Sequence, residues 1–95
     1  MDDKLTITDP EAKRKLAARL ARIEGQVRGL QDMIEREEDC EQIAQQLTAV
    51  RMAFSKVFAE MVADEIEALE SGQSMSAGIR HARLSALIKI LSKYG

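Results

Sequence analysis

The chain predicts an all-α fold, a three-helix protomer of two long antiparallel helices plus a shorter C-terminal helix. Composition is the first reason: the 95 residues hold no tryptophan, one tyrosine, two phenylalanines and one proline, against 45% apolar and 32% charged residues, the profile of a helical bundle rather than a sheet protein. Periodicity is the second, because apolar residues recur at alternating spacings of four and three along two stretches, as they do on helices that face a partner. Length is the third. One domain of this size has a thin core for its surface, so oligomerisation is expected.

Residues 1–9 are polar apart from Leu5 and Ile7 and read as a flexible N-terminal arm ahead of a single helical domain over 10–95. Asp9 suits an N-cap, with Pro10 at the first helical position and Glu11 in the first turn, where a missing amide donor and a negative charge both favour a helix start. Leu16, Leu20, Ile23, Val27, Leu30 and Ile34 then form a seam on a helix of about 27 residues. Gly25 and Gly29 lie inside it although each costs about 1 kcal/mol relative to alanine; close approach of another backbone, or plain surface tolerance, would account for them. The apolar-free run Glu37-Glu38-Asp39-Cys40 predicts a tight connection, with Asp39 able to cap a second helix and Cys40 in its first turn.

The second helix is expected from Cys40 to about Ser71. Its stripe of Ile43, Leu47, Val50, Phe54, Val57 and Met61 should cover the first seam, and the stripe fails at Asp64 and Glu65, which marks either an exposed helix end or a site. Phe58, Val62, Ile66 and Leu69 make a further apolar face, so a second neighbour is required. Gly72 is the expected stop, Ser74 or Ser76 the cap of a last helix over about Ala77 to Lys93, and Ile79, Ala86, Leu87, Ile90 and Leu91 its apolar side. Met33, Met52, Met61 and Met75 read as core filler, and His81 as a solvated residue among Arg80 and Arg83.

No apolar run approaches the roughly 18 residues of a membrane span, and Met1-Asp2-Asp3-Lys4 lacks signal-peptide character, so a cytoplasmic protein with no membrane partner is expected. A lone cysteine makes Cys40 a reduced thiol, a ligand or half of an intermolecular pair. The helix dipole favours negative charge on it, and the neighbouring carboxylates oppose that. The formal charge of -2 is segregated: residues 13–28 hold six basic groups against Glu24 alone, while acids crowd the connection and the end of the second helix. Lys15, Arg19, Arg22 and Gln26 each precede a seam residue by one and form a parallel stripe about 100° around the helix. With almost no acid in its own helix, that stripe suits phosphate, the alternative being a solvated face. There is no set of nucleophile, base and orienting group and no glycine-rich phosphate loop, which argues against an enzyme, and no catalytic residue is assigned.

The run Arg19-Leu-Ala-Arg-Ile-Glu-Gly-Gln-Val-Arg-Gly-Leu30, then Cys40 after an acidic turn, then Gln46-Leu-Thr-Ala-Val-Arg51 resembles the CsoR/RcnR/FrmR family of small all-helical bacterial repressors, over about residues 12 to 70. The resemblance implies a dimer built as an antiparallel four-helix bundle, a disc-like tetramer, and operator DNA released when an inducer binds. It also implies that Arg19, Arg51 and Lys56 belong to the DNA-contacting surface, to which the basic stripe adds Lys15 and Arg22. Where copper-sensing members carry a histidine and a cysteine opposite their first-turn cysteine, this chain has Glu65 and Leu69, a poor donor set for copper(I). Two mechanisms fit a site of Cys40 against a neighbouring subunit's Glu65: a harder divalent ion such as zinc, or covalent reaction of Cys40 with an electrophile or oxidant, which is preferred because two protein ligands make a weak metal site; the third alternative is a decayed inducer site and constitutive repression. The competing class is a structural helical oligomer that binds a protein partner and no DNA, which a gel shift would separate from a repressor.

Overall fold

A computed structural model describes residues 4–72 and 75–95. They form α1 (Pro10–Glu35), α2 (Cys40–Ser71) and α3 (Ala77–Tyr94), within two residues of the expected boundaries. Helix α1 starts as its sequence dictates: the Ala12 amide donates to the Asp9 carboxylate at 3.1 Å, with Pro10 behind it. At its other end Glu37 takes a left-handed φ of 56°, and the Glu38 amide donates to Met33 O at 2.9 Å, which turns the chain within four residues. Asp39 occupies the N-cap position of α2, yet its side chain accepts no capping bond. Ser76 caps α3 by accepting from the Ile79 amide at 3.2 Å, and the other candidate, Ser74, lies outside the described residues.

Gly72 does sit at the C-cap of α2, but with a φ of -79°, so chain handedness is not why glycine is there. A β-carbon there would meet the Met75 terminal methyl at 2.9 Å, a flexible side-chain end that can move aside, and Ala68 O at 3.2 Å. The exposed carbonyl end of α2 is answered from α3, where Arg80 Nη2 donates to Gly72 O at 2.7 Å, placing a cation where the helix dipole is negative.

Helix α2 is the spine. Both α1 and α3 pack on it, and among the described residues they do not pack on each other, which leaves an elongated protomer of 57 × 26 × 21 Å. The α1–α2 junction buries Ile23, Leu30 and Val50, with Met33, Ile43, Ala53 and Val57 against them. The α2–α3 junction buries Val62, Leu69 and Leu87, joined by Phe58, Met61 and Met75. Leu5 packs into this second cluster, so the described part of the expected arm is anchored there by its apolar side chain.

Only half of the predicted seam is covered. Leu16, Ile23 and Leu30 are buried, whereas Leu20, Val27 and Ile34 on α1 and Leu47 and Phe54 on α2 remain 40–62% exposed. The reason is geometric: a helix offers another single helix one line of contact, and the alternate heptad positions then fall to one side of it. Met52, expected in the core, is 58% exposed. The glycines of α1 show no close neighbour either, since a β-carbon at Gly25 or Gly29 would meet nothing within 4 Å.

Candidate nucleic-acid interface and sensing residues

The groove between α1 and α2, on the side away from the bare apolar stripe, is a cleft of about 340 Å³ lined by Arg19, Arg22, Gln26 and Lys56, with Ile23, Ala49 and Ala53 among its apolar walls. Four-residue and three-residue steps bring Arg19, Arg22 and Gln26 to one edge of α1, and Lys56 projects from α2 across from them. The side-chain oxygen of Gln26 is buried there without a hydrogen-bond partner. Three cations around a concavity with small apolar walls can seat one phosphate-sized anion by charge-assisted hydrogen bonds.

Arg51 is exposed and does not line this cleft. Five positions from Lys56 amount to about 140° around an α-helix, which puts Arg51 on the flank of Leu47 and Phe54. Lys15 lies one turn before Arg19 and faces acids of α2: its Nζ is 3.7 Å from Glu60 and 3.8 Å from Asp64, while Arg19 Nε pairs with Glu60. The stripe that lacks acidic partners in its own helix therefore finds them in the next one. A signal for this is present in the chain: Lys15 and Arg19 are four apart, Glu60 and Asp64 are four apart, and antiparallel helices lay equal spacings side by side.

Asp64 and Glu65 are half-buried rather than on a solvated helix end. They line a polar cleft of about 440 Å³ with Thr6, Asp9, Lys15 and Arg83. Burial raises the Glu65 pKa, the Arg83 guanidinium opposes that rise, and the Asp64 charge adds to it. The raised value means that folded protein holds this proton more tightly than unfolded chain does. Stability is therefore lost as pH climbs from the ordinary glutamate range through the raised value. The thermal-unfolding midpoint of Glu65→Gln should lie above that of wild type at neutral pH, with the difference shrinking as the solution is acidified. A difference that grew on acidification would contradict the sign.

Cys40 is exposed in the first turn of α2, and 25 residues of helix, about 37 Å at 1.5 Å per residue, separate it from Glu65. The two cannot meet within a protomer. Leu69 is buried in the α2–α3 cluster and supplies no donor atom. Among the described residues no three His, Cys, Asp or Glu side chains converge to hold a metal. A thiolate and one distant carboxylate do not fit a copper(I) centre, nor do they complete a tetrahedral zinc site.

Residues 12–93 match the family described as metal-sensitive transcriptional repressor. The chain belongs to this family. The copper-sensing transcriptional repressor CsoR of Bacillus subtilis is 33% identical over 87 residues, covering 86% of this chain and 80% of that protein. The transcriptional repressor RcnR of Salmonella typhimurium is 32% identical over 82 residues, covering 86% and 90% respectively. Among solved structures, a variant of the formaldehyde-responsive regulator FrmR from Salmonella enterica serovar Typhimurium superposes with a TM-score of 0.81 at 30% identity, covering 94% of this chain and all of that one. Among its described residues, this member of the family has no helix long and apolar enough to cross a membrane.

Proposed function

We propose that the protein is a DNA-binding transcriptional repressor whose basic α1 stripe and interhelical cleft engage operator phosphates, and whose release is triggered at Cys40. The observation that carries the reading is the convergence of Arg19, Arg22 and Lys56 on one cleft in a chain that belongs to a repressor family. Lys15 extends that surface by one turn. Nothing in the order of helices forms the short helix, turn and recognition helix of groove readers, so contacts of this kind would go mainly to phosphates, and sequence preference would draw on DNA shape.

Assembly supplies what one protomer lacks. Pairing two copies antiparallel through the bare stripe would cover Leu20, Val27, Ile34, Leu47 and Phe54, and would bring Cys40 of one copy towards Glu65 of the other. The register supports this: Leu47 and Phe54 are centred between residues 50 and 51, Cys40 and Glu65 between residues 52 and 53, an offset of about 3 Å along the helix. A partner is also what would bring Arg51 to the plane of Arg19. A further pairing of dimers gives the tetramer expected of the fold. At the sensing position the donor set favours covalent modification of the exposed Cys40 by an electrophile or oxidant over coordination of zinc.

The test is anisotropy of a labelled duplex from upstream of the coding region, titrated with wild-type protein over a salt series. Binding should weaken steeply as salt rises, because phosphate contacts release counterions. Hydrogen peroxide or N-ethylmaleimide should release the duplex from wild type and leave it bound to Cys40→Ala. A flat salt response would remove the phosphate model, release from Cys40→Ala would show that the sensor lies elsewhere, and release by zinc alone would restore the metal reading.

A further inference from the structure

We propose that Glu60 and Asp64 act as an internal competitor for the DNA phosphates, holding Lys15 and Arg19 in the DNA-free protein and thereby setting how tightly the repressor binds. The inference rests on the DNA-binding reading and adds a brake that this reading does not contain.

The acids are the anchored partners. Their side chains are 19% and 17% exposed, those of Lys15 and Arg19 44% and 46%, so the carboxylates stay on α2 while the long cationic stems can swing outward. Lys15 Nζ lies between both carboxylates, at 3.7 and 3.8 Å. Glu60 takes the Nε edge of Arg19. On the outer side of this pair is a shallow depression lined by Arg14, Lys15, Arg19 and Arg22, in which Glu60 is the one acid. A carboxylate placed so occupies the position, relative to these cations, that a phosphate oxygen takes in a protein–DNA contact. DNA must displace it. Salt also screens the ion pairs that Glu60 makes with Lys15 and Arg19, so the brake weakens as salt rises and the salt dependence of binding is shallower than it would be with free cations.

Glu60→Gln keeps the shape of the side chain and removes its charge. In the anisotropy titration at one moderate salt concentration it should tighten binding of the upstream duplex roughly fivefold, as expected for an exposed pair worth up to 1 kcal/mol. The slope of log K against log salt should steepen, by less than the roughly one unit that a whole phosphate contact carries. Asp64→Asn should act in the same direction and guards against a folding defect in the first variant, which circular dichroism would reveal. In a Lys15→Gln/Arg19→Gln background, adding Glu60→Gln should change affinity by less than twofold, since no captive cation remains. Unchanged affinity in both single variants overturns the brake. Weaker binding with an unchanged slope also overturns it, because Glu60 would then be orienting Arg19. An equal gain in the cation-deleted background would reduce the effect to net charge and overturn it too. Absence of binding by wild type would instead refute the repressor reading, so the two failures are told apart by the wild-type titration.

Discussion

Phe54→Glu is expected to convert the protein from an oligomer to a single chain of 10.6 kDa. Phe54 is 49% exposed in the protomer, in a stripe with Leu20, Val27, Ile34 and Leu47 that the other described residues leave open. Completing the burial of such side chains would contribute on the order of 1 kcal/mol apiece, as about half of the 1.5 to 3 kcal/mol for full burial. A contiguous apolar patch of this kind is a protein interface when a small domain has little core of its own. A two-fold contact would bring in each substituted carboxylate as a pair, and an unpaired charge in a desolvated interface costs several kcal/mol. Sedimentation equilibrium reads the result. Wild type should have a mass of at least twice the chain, the variant a mass near one chain, and DNA binding should fall with it. Equal masses would show that the stripe is not where copies meet.

Leu87→Ala is expected to cost about 3 kcal/mol, within the 2 to 5 kcal/mol range for emptying a buried leucine site. Leu87 is 2% exposed and closes the second cluster against Val62 and Leu69, and among the described residues α3 packs on α2 alone. For a domain of this size the unfolding midpoint should drop on the order of 15 °C. Leu84→Ala, three residues earlier at 45% exposure, should cost about 1 kcal/mol or less. Thermal unfolding followed by far-ultraviolet circular dichroism separates the two. Similar losses for both would mean that α3 is held through its outer face, by another copy.

The helices were legible because their signals are local. Asp9-Pro10-Glu11, the apolar-free connection before Cys40 and the serine ahead of Ala77 each act within a turn of the chain, and the boundaries follow them closely. The cap at Asp39 failed for a reason that is equally local: the residue has the position without the hydrogen bond. The arginine-rich run of α1, Cys40 and the Ala-Val-Arg element likewise carried the family resemblance without coordinates.

Other features depend on which turn of one helix lies beside which turn of another. The pattern of fours and threes is the same for a residue that meets α2 and for its neighbour in the heptad that does not, so periodicity had no means of separating buried Ile23 from exposed Val27. The same holds for charge. Lys15 and Arg19 lack acids within their own helix, and only the antiparallel register places Asp64 and Glu60 against them. The separations of Arg51 from Lys56 around α2 and of Cys40 from Glu65 along it, by contrast, follow from α2 being one continuous helix. Helix content and family come from interactions a few residues apart and are written in the linear pattern. The cationic cleft, its carboxylate partners and the open apolar stripe come from interactions between distant segments, whose energies are settled only when the helices choose their rotation and offset.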